Sequence, residues 1–459
     1  MRDKTSTNMT AGERRATLGL AGVYGFRMLG LFLILPVFAL YSEGLHGSTP
    51  FLTGLAVGIY GLTQATLQIP FGLLSDRVGR KPVIFGGLVL FAIGSVIAGM
   101  AQDIWLVILG RAVQGSGAIA AAVMALAADL TREENRTKAM ATIGMTIGAS
   151  FMLAMLAGPV LERWIGVDGI FWLTALLALV GIAVVALVVP TPAHSGVHHD
   201  AEPVPAMFRR VLSNPDLLRL DFGIFSLHMI LTSLFLAVPL VLRDLGLPLV
   251  RHSMLYLPVM LGSILAMVPF IILAERRGLM KQVFLGAVAT LAVAQLALGL
   301  FADQFWGFVA GLGLFFTAFN LLEATLPSLV SKVAPVAAKG TAMGVYSTSQ
   351  FSGAFVGGIL GGWVHQHYGL SGVFDMGALA AAIWLLLASG MRKPGHYSSR
   401  LVNLGSVQHA SAGDLVARLR SVPGVIEAVV VVDEGVAYLK VDRDRLDDVA
   451  LDEIVARPA

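Results

Sequence analysis

Arg27, Arg111, His228 and Glu323 are ionisable residues standing deep inside long apolar stretches of this 459-residue sequence, and Gln114, Asn320 and Gln350 accompany them. A charged group in such a stretch costs about 2.5–3.5 kcal/mol to insert into hydrocarbon, so each should face a partner or an aqueous cavity. Glu323, in the run FNLLE, offers the most specific chemistry: a carboxyl group can pick up a proton on one side and release it on the other. Its bland alternative is a fixed ion pair with Arg27. For Arg111, only a few residues after Asp103, the alternative is a side chain that snorkels to an interface. His194, His198 and His199 have metal-ligating chemistry, but their stretch, TPAHSGVHHDAEPVP, is rich in proline and polar residues and reads as a solvated linker. With no cysteine and no nucleophile–base pair or metal-ligand spacing, an enzyme is not expected, nor a metal or another cofactor.

A second group of charges sits between two apolar stretches, in GLLSDRVGRK at residues 72–81. Gly72 allows neighbouring helices to approach closely, and Gly79 allows a tight turn. Asp76 and Arg80 are spaced to pair beside that turn, with Arg77 between them, and Asp129, ending a later apolar stretch, is a natural second partner for Arg80. The arrangement has an echo: PFGLLSDRVGRKPVIF at 70–85 aligns without gaps with PFIILAERRGLMKQVF at 269–284. Asp76 then matches Glu275, Arg77 matches Arg276 and Gly79 matches Gly278. The alternative is chance likeness between two basic loops.

The elements that must carry these residues follow from composition. Hydrophobic residues make up 56% of the chain and charged residues 13%, with mean hydropathy +0.79. A water-soluble domain carries about 25% charged residues. Hydrocarbon about 30 Å thick needs roughly 20 apolar residues in a helix. Stretches of that length fall near 17–41, 51–74, 83–101, 105–129, 138–161 and 169–190, and again near 219–242, 253–274, 283–301, 305–331, 341–365 and 372–391. The first contains Arg27 and no cleavage site follows it, so it reads as a retained helix. Seventeen Lys and Arg fall on the N-terminal side of this alternation and only Arg163, Arg243 and Arg251 on the other, which places both termini in the cytoplasm. A pI near 9.2 thus reflects topology, not nucleic-acid binding.

The expected organisation is an all-α membrane protein of two six-helix bundles, residues 1–190 and 218–393, joined by a linker at 191–217. Residues 398–459 form a small soluble α+β domain, with strands near 400–404, 425–432 and 436–441 and helices near 411–421 and 444–456. Its ten acidic and seven basic residues give a net charge of −3, so docking onto the basic loops is electrostatically favoured.

The segment at 72–81 resembles the G-x-x-x-D-R-x-G-R-[KR] signature of the major facilitator superfamily, at the place between helices two and three where that family carries it. RAVQG at 111–115 is similar to the family's R-x-x-Q-G pattern, associated there with proton coupling. Gly158-Pro159, preceded by Gly144 and Gly148, resembles its antiporter pattern, although Val160 to Glu162 replace the glycines that usually follow; a packing kink is the other reading. ERRAT, RMLG, GIYGLTQ, ADLTRE and GTAMGVYSTSQF narrow the likeness to a group of bacterial inner-membrane transporters. The resemblance implies that helices one, four, seven and ten line a central cavity with Arg27, Arg111, His228 and Glu323, and that Asp76, Arg80 and Asp129 latch one conformation. It further implies a proton-coupled carrier of a small organic compound, resembling drug-efflux antiporters, with protons, substrate and the lipid bilayer as its partners. A nutrient symporter and a membrane sensor signalling through the C-terminal domain are the alternatives. That domain resembles ferredoxin-like heavy-metal-associated modules, but its first loop has no C-x-x-C, so metal transfer is not implied.

Overall fold

The computed structural model describes residues 9–192, 207–392, 397–404, 412–432, 435–442 and 445–456. The histidines of the linker and the loop at 405–411 lie outside these. The first crossing, Ala11–Ser42, is made of α1 (Ala11–Phe32) and α2 (Leu35–Ser42), parted just before Pro36. A capping box opens it: Thr10 Oγ1 accepts from Glu13 N, and the Glu13 carboxylate accepts from Thr10 N. Next come α3 (Pro50–Val78) and α4 (Arg80–Gly99). The fourth crossing, expected as one helix, divides into α5 (Ile104–Ser116) and α6 (Ala120–Asp129). The break falls at Gly117, where a Cβ would stand 2.3 Å from the Gly87 carbonyl oxygen of α4. Close backbone packing overrides helical continuity there.

α7 (Glu133–Leu187) has 55 residues, about 80 Å if straight and far more than a bilayer holds. It breaks at Gly166 (φ 67°), giving crossings five and six. The second half repeats the plan. A short helix α8 (Phe208–Leu212) leads into α9 (Pro215–Asp244), α10 (His252–Arg276), α11 (Met280–Leu300), α12 (Phe305–Val333) and α13 (Lys339–Ser389), which breaks at Gly369 (φ 75°). Nine helical stretches among the described residues are long and apolar enough to cross a membrane. Two of them cross twice, and α3, made less apolar by Gln64, Gln68 and its threonines, completes the twelve.

Small residues bring the two halves together. A Cβ at Gly54 of α3 would lie 2.0 Å from the Gly358 carbonyl oxygen of α13, and one at Gly362 would lie 2.5 Å from the Pro50 carbonyl. Further along this seam Gln68 Nε2 donates to Thr348 Oγ1 (2.7 Å), and Ser347 donates to Gln68 Oε1 (3.2 Å). At the opposite end Arg243 Nη1 donates to Glu43 across the halves (2.5 Å).

The C-terminal unit orders its strands β1 (Tyr397–Asn403), β3 (Val436–Asp442), β2 (Val425–Val431), all antiparallel. Helices α14 (Ala412–Ser421) and α15 (Asp448–Ala456) supply Leu415, Leu419 and Leu451 to a core with Ala428, Leu439 and Val441. Beside the membrane helices, Val436 and Tyr438 pack on Val336, in the turn between α12 and α13. Arg210 of α8 donates to Glu427 (2.9 Å), and the Lys440 ammonium lies 3.5 and 3.4 Å from the carbonyl oxygens of Val333 and Ala334.

Candidate functional site

Two polar clusters lie at membrane depth, one in each half, and they differ in sign. In the first half the Arg27 guanidinium donates to Gln64 Oε1 and stands over the rings of Tyr60 and Phe91, 5.7 and 5.6 Å from their centroids. Arg111 lies 4.9 Å from the centroid of the same Tyr60 ring and donates to Gln114 Oε1 (2.8 Å). Gln114 passes the chain on, donating to Ser95 Oγ (2.7 Å), which donates to the Phe91 carbonyl (2.7 Å). Arg111 is 1% exposed, so it is a core residue and does not snorkel. Aromatic faces hold both cations where no carboxylate is paired with them. Arg27 Nε and Nη1, Arg111 Nε and the Tyr60 hydroxyl find no hydrogen-bond partner.

The second half holds the acids. Glu323 of α12 has its buried Oε2 without a hydrogen-bond partner, and it makes no ion pair with Arg27. His228 of α9 has Nε2 2.8 Å from the amide nitrogen of Gln350 in α13. With that amide nitrogen donating, Nε2 is the acceptor. Asn320 serves elsewhere: it donates to Ser263 Oγ of α10 (2.9 Å) and ties α12 to that helix. Sequence reasoning passed over two members of this cluster, Asp221 of α9 and Tyr346 of α13. Both are buried, and Asp221 Oδ2 and the Tyr346 hydroxyl are unpartnered. Asp221 follows a helix start closely enough to pass for an interfacial charge, and a tyrosine in a glycine-rich span gives no signal of its own.

Aromatic rings bridge the clusters. Phe151 of α7 contacts Phe32 (5.2 Å) in its own half and Phe235, Phe316 and Phe319 (6.2, 6.5 and 6.0 Å) in the other. Phenylalanine in an apolar span cannot be told from a lipid-facing one by sequence. Gly158, next to Pro159, packs where a Cβ would lie 2.8 Å from the Leu33 carbonyl, at the parting of α1 and α2.

At the basic end, Arg80 is 3% exposed and donates to Asp76, to Ser75 Oγ (2.9 Å) and, at 3.3 Å, to Asp129, whose side chain is fully buried. Gly79 (φ 95°) makes the turn that brings Arg80 back, and Gly278 (φ 64°) occupies the matching place in the second half. Gly72 packs against Ala121, with a Cβ 2.9 Å away. Arg77 is exposed and stands outside the ion-pair cluster. A neighbouring network centres on Glu13, which accepts from Arg132 Nε (3.0 Å), Arg132 N (2.8 Å) and Asn135 (3.2 Å). The capping-box spacing of Thr10 and Glu13 was the only signal for it.

The family model described as Major Facilitator Superfamily matches residues 20–278 and 254–426. The chain is 51% identical over 434 residues to the Inner membrane transport protein YajR of Escherichia coli K12, covering 95% of each. It is 34% identical over 348 residues to an uncharacterized transporter of Buchnera aphidicola subsp. Acyrthosiphon pisum, covering 75% of this chain and 89% of that one. Among solved structures, the human organic anion transporter MFSD10 (TETRAN) superposes with a TM-score of 0.61 at 18% identity, covering 83% of this chain and 100% of that one. That likeness is one of fold.

Proposed function

The chain belongs to the Major Facilitator Superfamily of membrane transporters, and from that premise we propose that it is a proton-coupled antiporter exporting a small organic compound by alternating access. The observation that carries the reading is the uncommitted Glu323 carboxyl oxygen at membrane depth, in the half that also holds His228, while Arg27 and Arg111 occupy the other half without a carboxylate. A carboxyl group held by no fixed partner can exchange its proton with whichever side the cavity faces. The half-site of opposite sign offers cations and aromatic faces to a substrate. Two similar six-helix halves around such a site are the arrangement in which one half rocks against the other.

Further parts of the reading follow the same logic. The membrane is the bacterial inner membrane, as for the Escherichia coli relative. Both termini are cytoplasmic, because the basic residues crowd one face. Asp76, Arg80 and Asp129 form a latch at that face, and the C-terminal domain tunes its opening through the turn at Val336 and the linker arginine Arg210. Gly158 and Pro159 act in packing, at the bend where Leu33 and Pro36 pass.

Reconstitution in liposomes with an imposed proton gradient, screened against cationic and neutral compounds, tests this. Glu323→Gln is expected to uncouple transport from the gradient, and full coupling in that variant would overturn the assignment. Proton flux opposite to substrate identifies an antiporter; flux in the same direction identifies a symporter.

A further inference from the structure

We propose that Asp221 is a second proton-binding carboxylate, linked through the Tyr346 hydroxyl to Glu323, through which protons pass between Glu323 and the basic face. The proposal rests on the reading of Glu323 as a proton carrier. Helix positions order the three groups. Asp221 lies six residues into α9 and Tyr346 seven into α13, whereas Glu323 lies ten residues before the end of α12. At 1.5 Å per residue these are depths of about 9, 11 and 15 Å from the same face. α13 lies along α9 in parallel register, with Gly353 against Phe225 and Gly357 against Met229, so Tyr346 and Asp221 fall within about one turn of each other on the two helices. α12 meets the same stretch where the Phe319 ring, one turn from Glu323, lies 6.1 Å from the His228 ring. Asp221 is 6% exposed and Tyr346 4%, and Asp221 Oδ2, the Tyr346 hydroxyl and Glu323 Oε2 all lack a hydrogen-bond partner.

A purely structural acid in this position would hold an arginine or cap a helix end. Asp221 does neither. Arg219, two residues away, is taken by Asp216 (2.8 Å), and the start of α9 is capped by Asn214, which accepts from Asp216 N and Leu217 N. The packed neighbours bring few other charges. From α13 come Tyr346 and, at the helix start, Lys339; from α12 Glu323 and, in the last turn, Lys332; and from α8 Arg209 and Arg210, of which Arg210 is engaged by Glu427. Gly223, two residues on, packs against the Trp384 indole, whose Nε1 is also unpartnered. The described residues contain no set of three or more metal-ligating side chains, which favours a proton over a cation at this place. In the transfer, the Tyr346 oxygen accepts the proton of the Glu323 carboxyl as its own O–H proton passes to the Asp221 carboxylate. Tyrosine stays neutral, Glu323 becomes the anion and Asp221 the acid.

The test is infrared difference spectroscopy of the full-length protein titrated across neutral pH, with isotope-labelled aspartate separating aspartic from glutamic carboxyl bands. Wild type is expected to show one titrating buried aspartic and one titrating buried glutamic band. Asp221→Asn should lose the first and keep the second, and Asp221→Glu should restore a band, so misfolding is distinguished from loss of the group. Glu323→Gln and Tyr346→Phe should each shift the midpoint of the Asp221 band, as interacting sites require. An unchanged aspartic band in Asp221→Asn, or a midpoint indifferent to both other variants, overturns the proposal. Absence of the glutamic band in wild type instead overturns the reading of Glu323, whatever Asp221 does.

Discussion

The two halves share a helical plan and divide the charges between them. In the first, buried arginines rest on aromatic faces and on glutamines, of which Gln114 passes a bond on to Ser95; in the second, acids keep a buried oxygen in reserve. At the basic face the division reverses. Arg80 of the first half is locked between Asp76 and Asp129, while the matching turn of the second half has Leu279 in place of the arginine and an exposed Glu275. Backbone symmetry, visible in the paired turns at Gly79 and Gly278, therefore does not carry chemical symmetry with it. A duplicated scaffold keeps its turns because the bilayer demands them, and leaves its side chains free to specialise.

Arg80→Ala strikes that contrast hardest. It removes the buried arginine that joins Asp129 to Asp76 and should lower stability by about 3–5 kcal/mol, read from thermal or denaturant unfolding in detergent, whereas Glu275→Ala should change nothing measurable. Next is Glu323→Gln, expected to reduce gradient-driven transport about 100-fold, equivalent to about 2.7 kcal/mol, with the folded protein intact. Arg27→Met removes a desolvated cation from over two rings and should cost about 2 kcal/mol in the same unfolding assay. The smallest effect belongs to the rim. Arg210→Ala breaks an ion pair whose arginine is half exposed and should weaken docking of the C-terminal domain by about 0.5 kcal/mol, measured by the salt dependence of energy transfer between labels on the two parts. A large loss there would move the centre of that interface away from Val336 and Lys440.

Sequence periodicity made the twelve crossings readable because hydrocarbon thickness imposes a length on every one of them. The ion-pair cluster was readable too, since an aspartate and two glycines at those spacings have little reason to stand in a loop that only sets topology. Arg111 was readable as a residue but not in its setting: nothing in RAVQG reveals that Tyr60, fifty-one positions earlier, lies beneath it. Asp221, Tyr346 and Phe151 escaped because their meaning comes from neighbours on other helices. The division of the fourth crossing at Gly117 escaped because a glycine among alanines looks like any small packing residue until the Gly87 carbonyl is seen against it.

The seam between α3 and α13 has a mechanical meaning. Where main chain touches main chain, at Gly54 and Gly358, no rotamer can swing aside and no layer of flexible atoms can shear. In the proposed rocking of the halves, such a seam would act as the fulcrum. Under that rocking, motion that parts the Glu43–Arg243 pair at one rim would narrow the other, so that both rims would not gape at once.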